Sequence, residues 1–455
     1  MVYEENINKL KKSMQIKDKL GSGKHTINNS VPFLPFGTRN PERPKFKRKF
    51  SGVTGEVVRL INGKELEEDF DIVESINNIV EVVMCNNEDD RKYLKELVKE
   101  YLIDKDGDIK VFHAKLFNYI ELDKGTEIVG EKKIAQFLYD ILFSDNSISY
   151  IFEEDETKNM IIKLVLAKLS GLKDRNTEKV YINKLECITD VAKEDFKFLI
   201  KHKEFFLRNF QQLIAYYYFY YITQLSIKLN KKDKANFSEV EKVFYLLDWE
   251  KASKNRKSVI NGYSLIKSES KNLLINMNIL EHLNFLFGVK GYTYFEILDK
   301  LNNSSDEEKN SYLSTIYEWI KIYRNNFSQE PIYVELEFEE LVNTLEKSLA
   351  EKIDQATISR YSLWIEEIGK KYFLKIRGGS YGYMLNMTQE MLLMITAICI
   401  KEDKITLKDL FKEYERRGLF LDSYSQVEVI DLLGKLNLID KKSDSGDAQY
   451  VKSIL

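Results

Sequence analysis

Proline, cysteine and histidine are scarce in this chain, and each shortage removes a class of explanation. The 455 residues hold 5 prolines, 3 cysteines and 4 histidines. The cysteines, Cys85, Cys187 and Cys399, lie far apart. An odd, sparse set offers neither a disulfide framework nor a zinc knuckle, and it suits a reducing cytoplasm. His25, His113, His202 and His282 have no second histidine or cysteine at ligand spacing, so no metal or other cofactor is expected. Residues 1–19 mix Lys, Glu and Asn without the apolar segment a secretory signal needs.

An excess of charge of one sign is also missing. Basic residues number 69 and acidic residues 72, so any contact with nucleic acid must come from local clustering. No long apolar run is free of polar breaks. The most apolar stretch, 205–229, contains Arg208, Gln211, Gln212, Gln224 and Lys228. A membrane span needs about 20 predominantly apolar residues, so none is expected.

Catalytic signatures fail one by one. A phosphate loop requires Gly-x-x-x-x-Gly-Lys and then Ser or Thr. Gly63-Lys64 runs into Glu65, and Gly21-Ser22-Gly23-Lys24 runs into His25. Gly378-Gly379-Ser380-Tyr381-Gly382 beside Arg377 could cradle a phosphate, but a tight turn explains it more simply. Asp108-Ile109-Lys110 matches half of a metal-dependent nuclease signature and lacks an upstream acidic partner on a strand. These failures predict a protein without its own catalysis, with a cryptic nuclease as the rival.

What the chain does have is helical periodicity. Four prolines fall between Pro32 and Pro44, and the fifth is Pro331. Proline cannot sit inside a regular helix, so 20–50 reads as an irregular arm and the proline-free 64–330 as a helical domain, with breaks at 104–107, 123–125, 170–174, 230–236, 253–262 and 302–306. Spacings of three and four residues recur there, as in Ile72, Ile76, Ile79, Val80, Val83 and in Leu94, Leu97, Tyr101. The run Tyr216-Tyr217-Tyr218-Phe219-Tyr220-Tyr221 reads as a central core helix or an aromatic partner surface, with some phenols expected to surround the helix. Near Pro331, Tyr333, Leu336 and Phe338 alternate with glutamates and suggest a short strand or a helix entry. Two short runs, 372–376 and 381–385, flank Gly378-Gly379 and predict a β-hairpin.

The last 68 residues predict a winged helix. Thr388, Thr406 and Ser425 each precede a short helix, with Asp409 and Glu428 placed three residues after the last two, as in a capping box. Two strands around 438–442 and 449–452 form the wing. The third helix should bury Val427, Ile430, Leu433 and Leu436 and show Gln426, Glu428, Asp431 and Lys435. A helix that reads the major groove presents Arg, Lys, Asn or Gln. Residues 388–455 instead hold 10 basic and 12 acidic side chains. Glu428 and Asp431 therefore suit a protein partner better than phosphates, leaving Lys441 and Lys442 on the wing as the DNA-facing alternative. A second candidate is the arm, where Arg39, Arg43, Lys45, Lys47, Arg48, Lys49 and Arg59 oppose only Glu42 and Glu56. Such an arm binds phosphates by counterion release, or else wraps the body on Phe33, Phe36, Phe46 and Phe50. The cluster Lys251, Lys254, Arg256 and Lys257 falls in a predicted loop and reads most simply as solvated.

The overall expectation is a mainly α, multi-lobed protein. It divides into an arm (1–63), a helical domain (64–330), a helical segment with the hairpin (331–386) and a winged helix (387–455).

Three strings resemble the DNA phosphorothioation-dependent restriction protein DptG family. They are Leu34-Pro35-Phe36 with Phe50-Ser51-Gly52-Val53-Thr54-Gly55-Glu56, then Gly378-Gly379-Ser380-Tyr381-Gly382-Tyr383 leading into Thr388-Gln389-Glu390-Met391-Leu392, and the tail from Leu438-Ile439-Asp440-Lys441-Lys442 to Gln449-Tyr450-Val451. The resemblance implies a non-catalytic subunit of a bacterial defence assembly that restricts DNA lacking a sulfur-for-oxygen backbone mark. Its partners would be ATPase-type subunits, and double-stranded DNA is a candidate contact. The family offers no catalytic motif to carry over. The rival function is a stand-alone winged-helix regulator of DNA.

Overall fold

The helix Lys203–Lys231 organises the molecule. Apolar residues surround it on every side, and a helix of that kind must be buried rather than lie on a surface. In the computed structural model, which describes residues 2–16, 25–27, 31–105, 107–145, 147–154, 157–378, 381–401, 403–441 and 449–455, every residue from Leu213 to Leu229 is buried. The tyrosine run is therefore core on all faces. Part of its polar cost is offset by hydrogen bonds. Tyr216 donates to the Arg417 carbonyl at 2.7 Å, and Tyr221 donates to Asn183 Oδ1 at 3.1 Å while accepting from the Lys184 amide. Tyr217 donates to Asp195. Helices Glu186–Ile200, Leu273–Phe287 and Leu363–Tyr372 pack around it. The architecture is mainly helical, with a few short strands.

The proline-rich segment lies on this body as an extended strap. Phe33, Phe36, Phe46 and Phe50 are all at most 2% exposed. Phe36 stacks on Trp364 with centroids 5.4 Å apart, and the Trp364 indole donates to the Gly37 carbonyl at 3.1 Å. The strap feeds the helix Ser51–Ile61, which is buried along nearly its whole length. That burial needs Gly55, because a Cβ there would sit 2.5 Å from the Ile120 carbonyl oxygen. Arg59 on the same helix donates to the carbonyls of Asn118 and Ile120.

A smaller lobe has its own core. Ile76, Ile79, Val80, Val98 and Leu102 from helices Ile72–Glu81 and Glu88–Leu102 meet Val165 and Leu166 from helix Met160–Lys168. The 72–83 spacing buries Ile76, Ile79 and Val80 and leaves Ile72 and Val83 half-buried. The 94–101 spacing does so less well, since Leu97 is 52% exposed while Val98 and Leu102 turn inward. Residues 331–337 form neither helix nor strand and lead into the helix Phe338–Ala350.

Four short strands join distant parts of the chain. Leu374–Ile376 runs antiparallel to Tyr383–Met387. Tyr383–Met387 then pairs in parallel with Phe244–Leu247, which pairs in parallel with Phe420–Leu421. The latter two strands were not anticipated. They run for four and two residues, and their parallel partners are far away in sequence.

The C-terminal part comprises helices Gln389–Ile400, Leu407–Arg416 and Ser423–Lys435. A sheet of Ile405–Thr406, Gln449–Val451 and Ile439–Lys441 completes it, with Gln449–Val451 in the centre. Thr388 and Thr406 cap the first two helices as expected, accepting from the amides of Met391 and Asp409. The third cap differs. Asp422 caps the helix by accepting from the Ser425 amide, and the Ser425 hydroxyl instead donates to Glu250 at 2.7 Å. The helix consequently starts earlier, and its buried line is Ser425, Val429 and Leu433, while Val427 is 64% exposed. One continuous core reaches from Ile7 to Val451 and includes residues of this C-terminal part.

Candidate functional site

The cations of the arm turn toward the body. Arg43 is buried, donates to the Arg360 carbonyl at 3.3 Å and lies 3.6 Å from Glu367. Lys45 bonds Glu367 at 2.8 Å, and its amide donates to Glu127. Arg48 reaches Asp108 at 2.6 Å, Asp123 at 2.9 Å and the Glu121 carbonyl at 2.7 Å. Lys47 is exposed at the rim, 3.6 Å from Glu127, and Arg39 is exposed, 3.7 Å from Glu42. Lys49 is exposed, in a left-handed backbone conformation with φ 56°. Four of these six cations thus spend their charge on carboxylates across the strap, and Arg59 is buried against Glu56 at 2.8 Å. A phosphate would have to compete with each of those partners. The second charged cluster of the sequence behaves differently: Arg256 is buried, and Lys251, Lys254 and Lys257 are exposed.

The third C-terminal helix is tied down at its N-terminal end. Arg256 donates to both Asp422 oxygens, at 2.6 and 3.0 Å, and to the Ser425 hydroxyl at 2.8 Å. Glu250 lies 2.9 Å from Arg256 and accepts from Ser425. Asp422 is held below its ordinary carboxyl range by Arg256 and the Ser425 amide, even though burial pulls the other way. This is the N-terminal end of the helix Ser423–Lys435. Here it is closed by the segment 250–258.

The helix shows outward Tyr424, Val427 and Asp431, with Glu428 half-buried beside them. Lys435 is exposed and pairs with Asp431 at 2.6 Å. Lys441 lies in the strand Ile439–Lys441, and Lys442 falls outside the described residues.

The remaining candidate motifs are absorbed by the fold. Asp108 binds Arg48, and Lys110 donates to the Glu100 carbonyl at 2.6 Å, so the two halves of the nuclease-like triplet face different partners. Arg377 donates to the Leu247 carbonyl and to Asn386 Oδ1, both at 2.6 Å, pinning the strand pair beside Gly378. Residues 379 and 380 lie outside the described set.

The histidines are less isolated than their spacing suggested. The rings of His25 and His282 lie 6.0 Å apart, His25 between Tyr323 and Asn278, and His282 accepting from Trp319. Burial holds both below the usual histidine range. Their separation of 257 positions gave the sequence no means of showing the pair. Among the described residues no group of three or more His, Cys, Asp or Glu could hold a metal ion.

Two buried ionic clusters join residues distant in sequence. Arg417 binds both oxygens of Asp195, at 2.6 and 2.7 Å, and reaches Glu413 at 2.6 Å. Burial raises the Asp195 carboxyl against the pull of Arg417 and the Tyr217 hydroxyl. The second is Glu131, which accepts from the Asp123 amide at 2.9 Å near Arg48. Burial pushes its carboxyl up to about 7. Both tie chain segments together.

No protein-family model matches this chain, and no curated protein matches it.

Proposed function

We propose that this chain is a non-catalytic subunit of a DNA restriction assembly, as its resemblance to the DptG family implies, and that it docks ATPase-type partners through its C-terminal part. The three helices and the three-stranded sheet of 389–451 read as a winged helix, with the strands Ile439–Lys441 and Gln449–Val451 as its wing. One observation carries the docking reading. The leading end of the third helix is sealed by Arg256, Glu250, Asp422 and Ser425, and the face left open offers Tyr424, Val427, Glu428 and Asp431. That face combines apolar area with carboxylates, which suits a basic-rimmed protein surface better than a polyanion. The cytoplasm, where foreign DNA is met, is the compartment this reading requires.

The test is co-purification of the full chain from its native host. Partner subunits with nucleotide-hydrolysing activity are expected to accompany the wild type and to be lost from E428K/D431K. Recovery of the wild-type chain alone, or unchanged partner recovery with the reversed charges, would overturn the reading. The stand-alone regulator makes the opposite forecast: it keeps specific DNA binding without partners and loses it when Lys435, Lys441 and Lys442 become alanine.

A further inference from the structure

The turn 249–257 joins the strand Phe244–Leu247 to the short helix Lys257–Ile260. Its sequence holds four cations, and the structure sorts them into two kinds. Arg256 points inward, 6% exposed, and donates to the Lys251 carbonyl at 2.9 Å as well as to Asp422 and Ser425. Lys251, Lys254 and Lys257 point outward and are exposed, with no side-chain ion pair or hydrogen bond among the described residues. The local acids cannot neutralise them. Glu250 and Asp422 are both spent on Arg256, and Asp248 is paired with Lys375. Arg256 is thus the pin of the turn, and three lysines without a carboxylate partner stand on its outer side, the Lys257 ammonium lying 5.5 Å from the centroid of the Phe244 ring.

Two aromatic surfaces border these lysines. Trp249 is 38% exposed within the turn itself, and Tyr424 is 69% exposed, with its ring 5.3 Å from the Arg256 guanidinium carbon. The contrast with the arm is one of pairing. Arm cations other than Lys49 sit against carboxylates, whereas these lysines have none. A turn already fixed by a buried guanidinium also loses little backbone entropy when a ligand arrives.

We propose that Lys251, Lys254 and Lys257 form a contact for the phosphodiester backbone of nucleic acid. The contact is independent of base sequence, is held in shape by Arg256, and lies beside the partner face of the third helix. The proposal deepens the restriction reading and rests on it only for naming DNA as the polyanion. Lysine ammonium groups engage phosphates as point charges and release counterions, which makes affinity fall with salt. Trp249 offers a ring face on which an unpaired base stacks.

The experiment is fluorescence anisotropy of the full chain with a random-sequence duplex and the matching single strand across a salt series. K251A/K254A/K257A is expected to flatten the duplex salt slope by about 2 to 3, at about 0.9 per lost phosphate contact. K197A/K201A/K203A removes the same charge from exposed lysines elsewhere and is expected to leave the slope in place. R256Q, checked for native circular dichroism, is expected to weaken binding with all three lysines present. A slope flattened only on the single strand assigns the contact to unpaired DNA and supports the proposal. A slope unchanged on both duplex and single strand in the 251/254/257 triple, an equal loss in the control triple, or no binding by the wild type at low salt would each overturn it. Loss of partners from E428K/D431K with an intact salt slope would separate the fate of this contact from that of the docking face.

Discussion

Asp195 and Arg417 show how much one residue pair decides. Both side chains are at most 1% exposed; Asp195 stands on the helix Glu186–Ile200 and Arg417 on the turn that follows Leu407–Arg416. Breaking a buried pair by removing one partner costs about 3–5 kcal/mol, because the other charge stays behind without solvent. R417M is therefore expected to lower unfolding free energy by that amount, and D195L/R417M to recover most of it. Urea denaturation of the single and double variants measures the coupling, and additive losses would deny that the two act as a unit.

Glu131 makes a pH prediction with a definite sign. Its folded carboxyl titrates at about 7, above the ordinary 4.5. Between those values the native state holds a proton the unfolded chain has released, so stability falls as pH rises from 4.5 through 7. E131Q keeps the acceptor for the Asp123 amide and cannot ionise. It is expected to gain stability relative to wild type from pH 5 to pH 8, read from denaturant midpoints, whereas a constant difference would contradict the assignment.

At the scale of elements, local rules carried far where they were complete in a short window. Thr388 and Thr406 announced their helices because a cap, its amide and its periodic run lie within a few residues. Ser425 and Glu428 mimicked the same signal, but Asp422 took the cap because Arg256 and Glu250 hold Asp422 and Ser425 in other roles. No window of local sequence contains that competition. Phe244–Leu247 was hidden for a related reason, since its hydrogen-bonding partners come from 383–387 and 420–421. The arm's four phenylalanines were legible as anchors, whereas the carboxylates that absorb its cations come from 108, 123, 127 and 367.

Gly418 gives this scale its own test. Its φ is +80°, and a Cβ would lie 2.2 Å from the Tyr220 ring. G418A is expected to destabilise by about 1–3 kcal/mol through overpacking and left-handed strain together, measured as a lowered Tm. An unchanged Tm would mean that the turn after Leu407–Arg416 can move off the central helix.

For the whole molecule, the shifts in proline and charge mark changes of local chain geometry more than separate cores. Helix Gln389–Ile400 is buried almost throughout, and strand Phe420–Leu421 completes a sheet begun at residue 244. A fragment of residues 387–455 is accordingly expected to lack a cooperative thermal transition by circular dichroism, although it holds three helices and a three-stranded sheet of its own. A sharp two-state melt of that fragment would show that its own core suffices. No helix among the described residues is long and apolar enough to cross a membrane, as the polar breaks in 205–229 foretold.

The parallel pairing of Phe244–Leu247 with Phe420–Leu421 also sets an order of events during synthesis. When residue 250 leaves the ribosome, the sheet has neither flank, and the tyrosine-rich helix has yet to meet much of its covering. The nascent chain must travel almost to its end before those edges close. Production of this protein should therefore lean on chaperones that shield unfinished chains, and premature termination should yield products cleared by proteolysis.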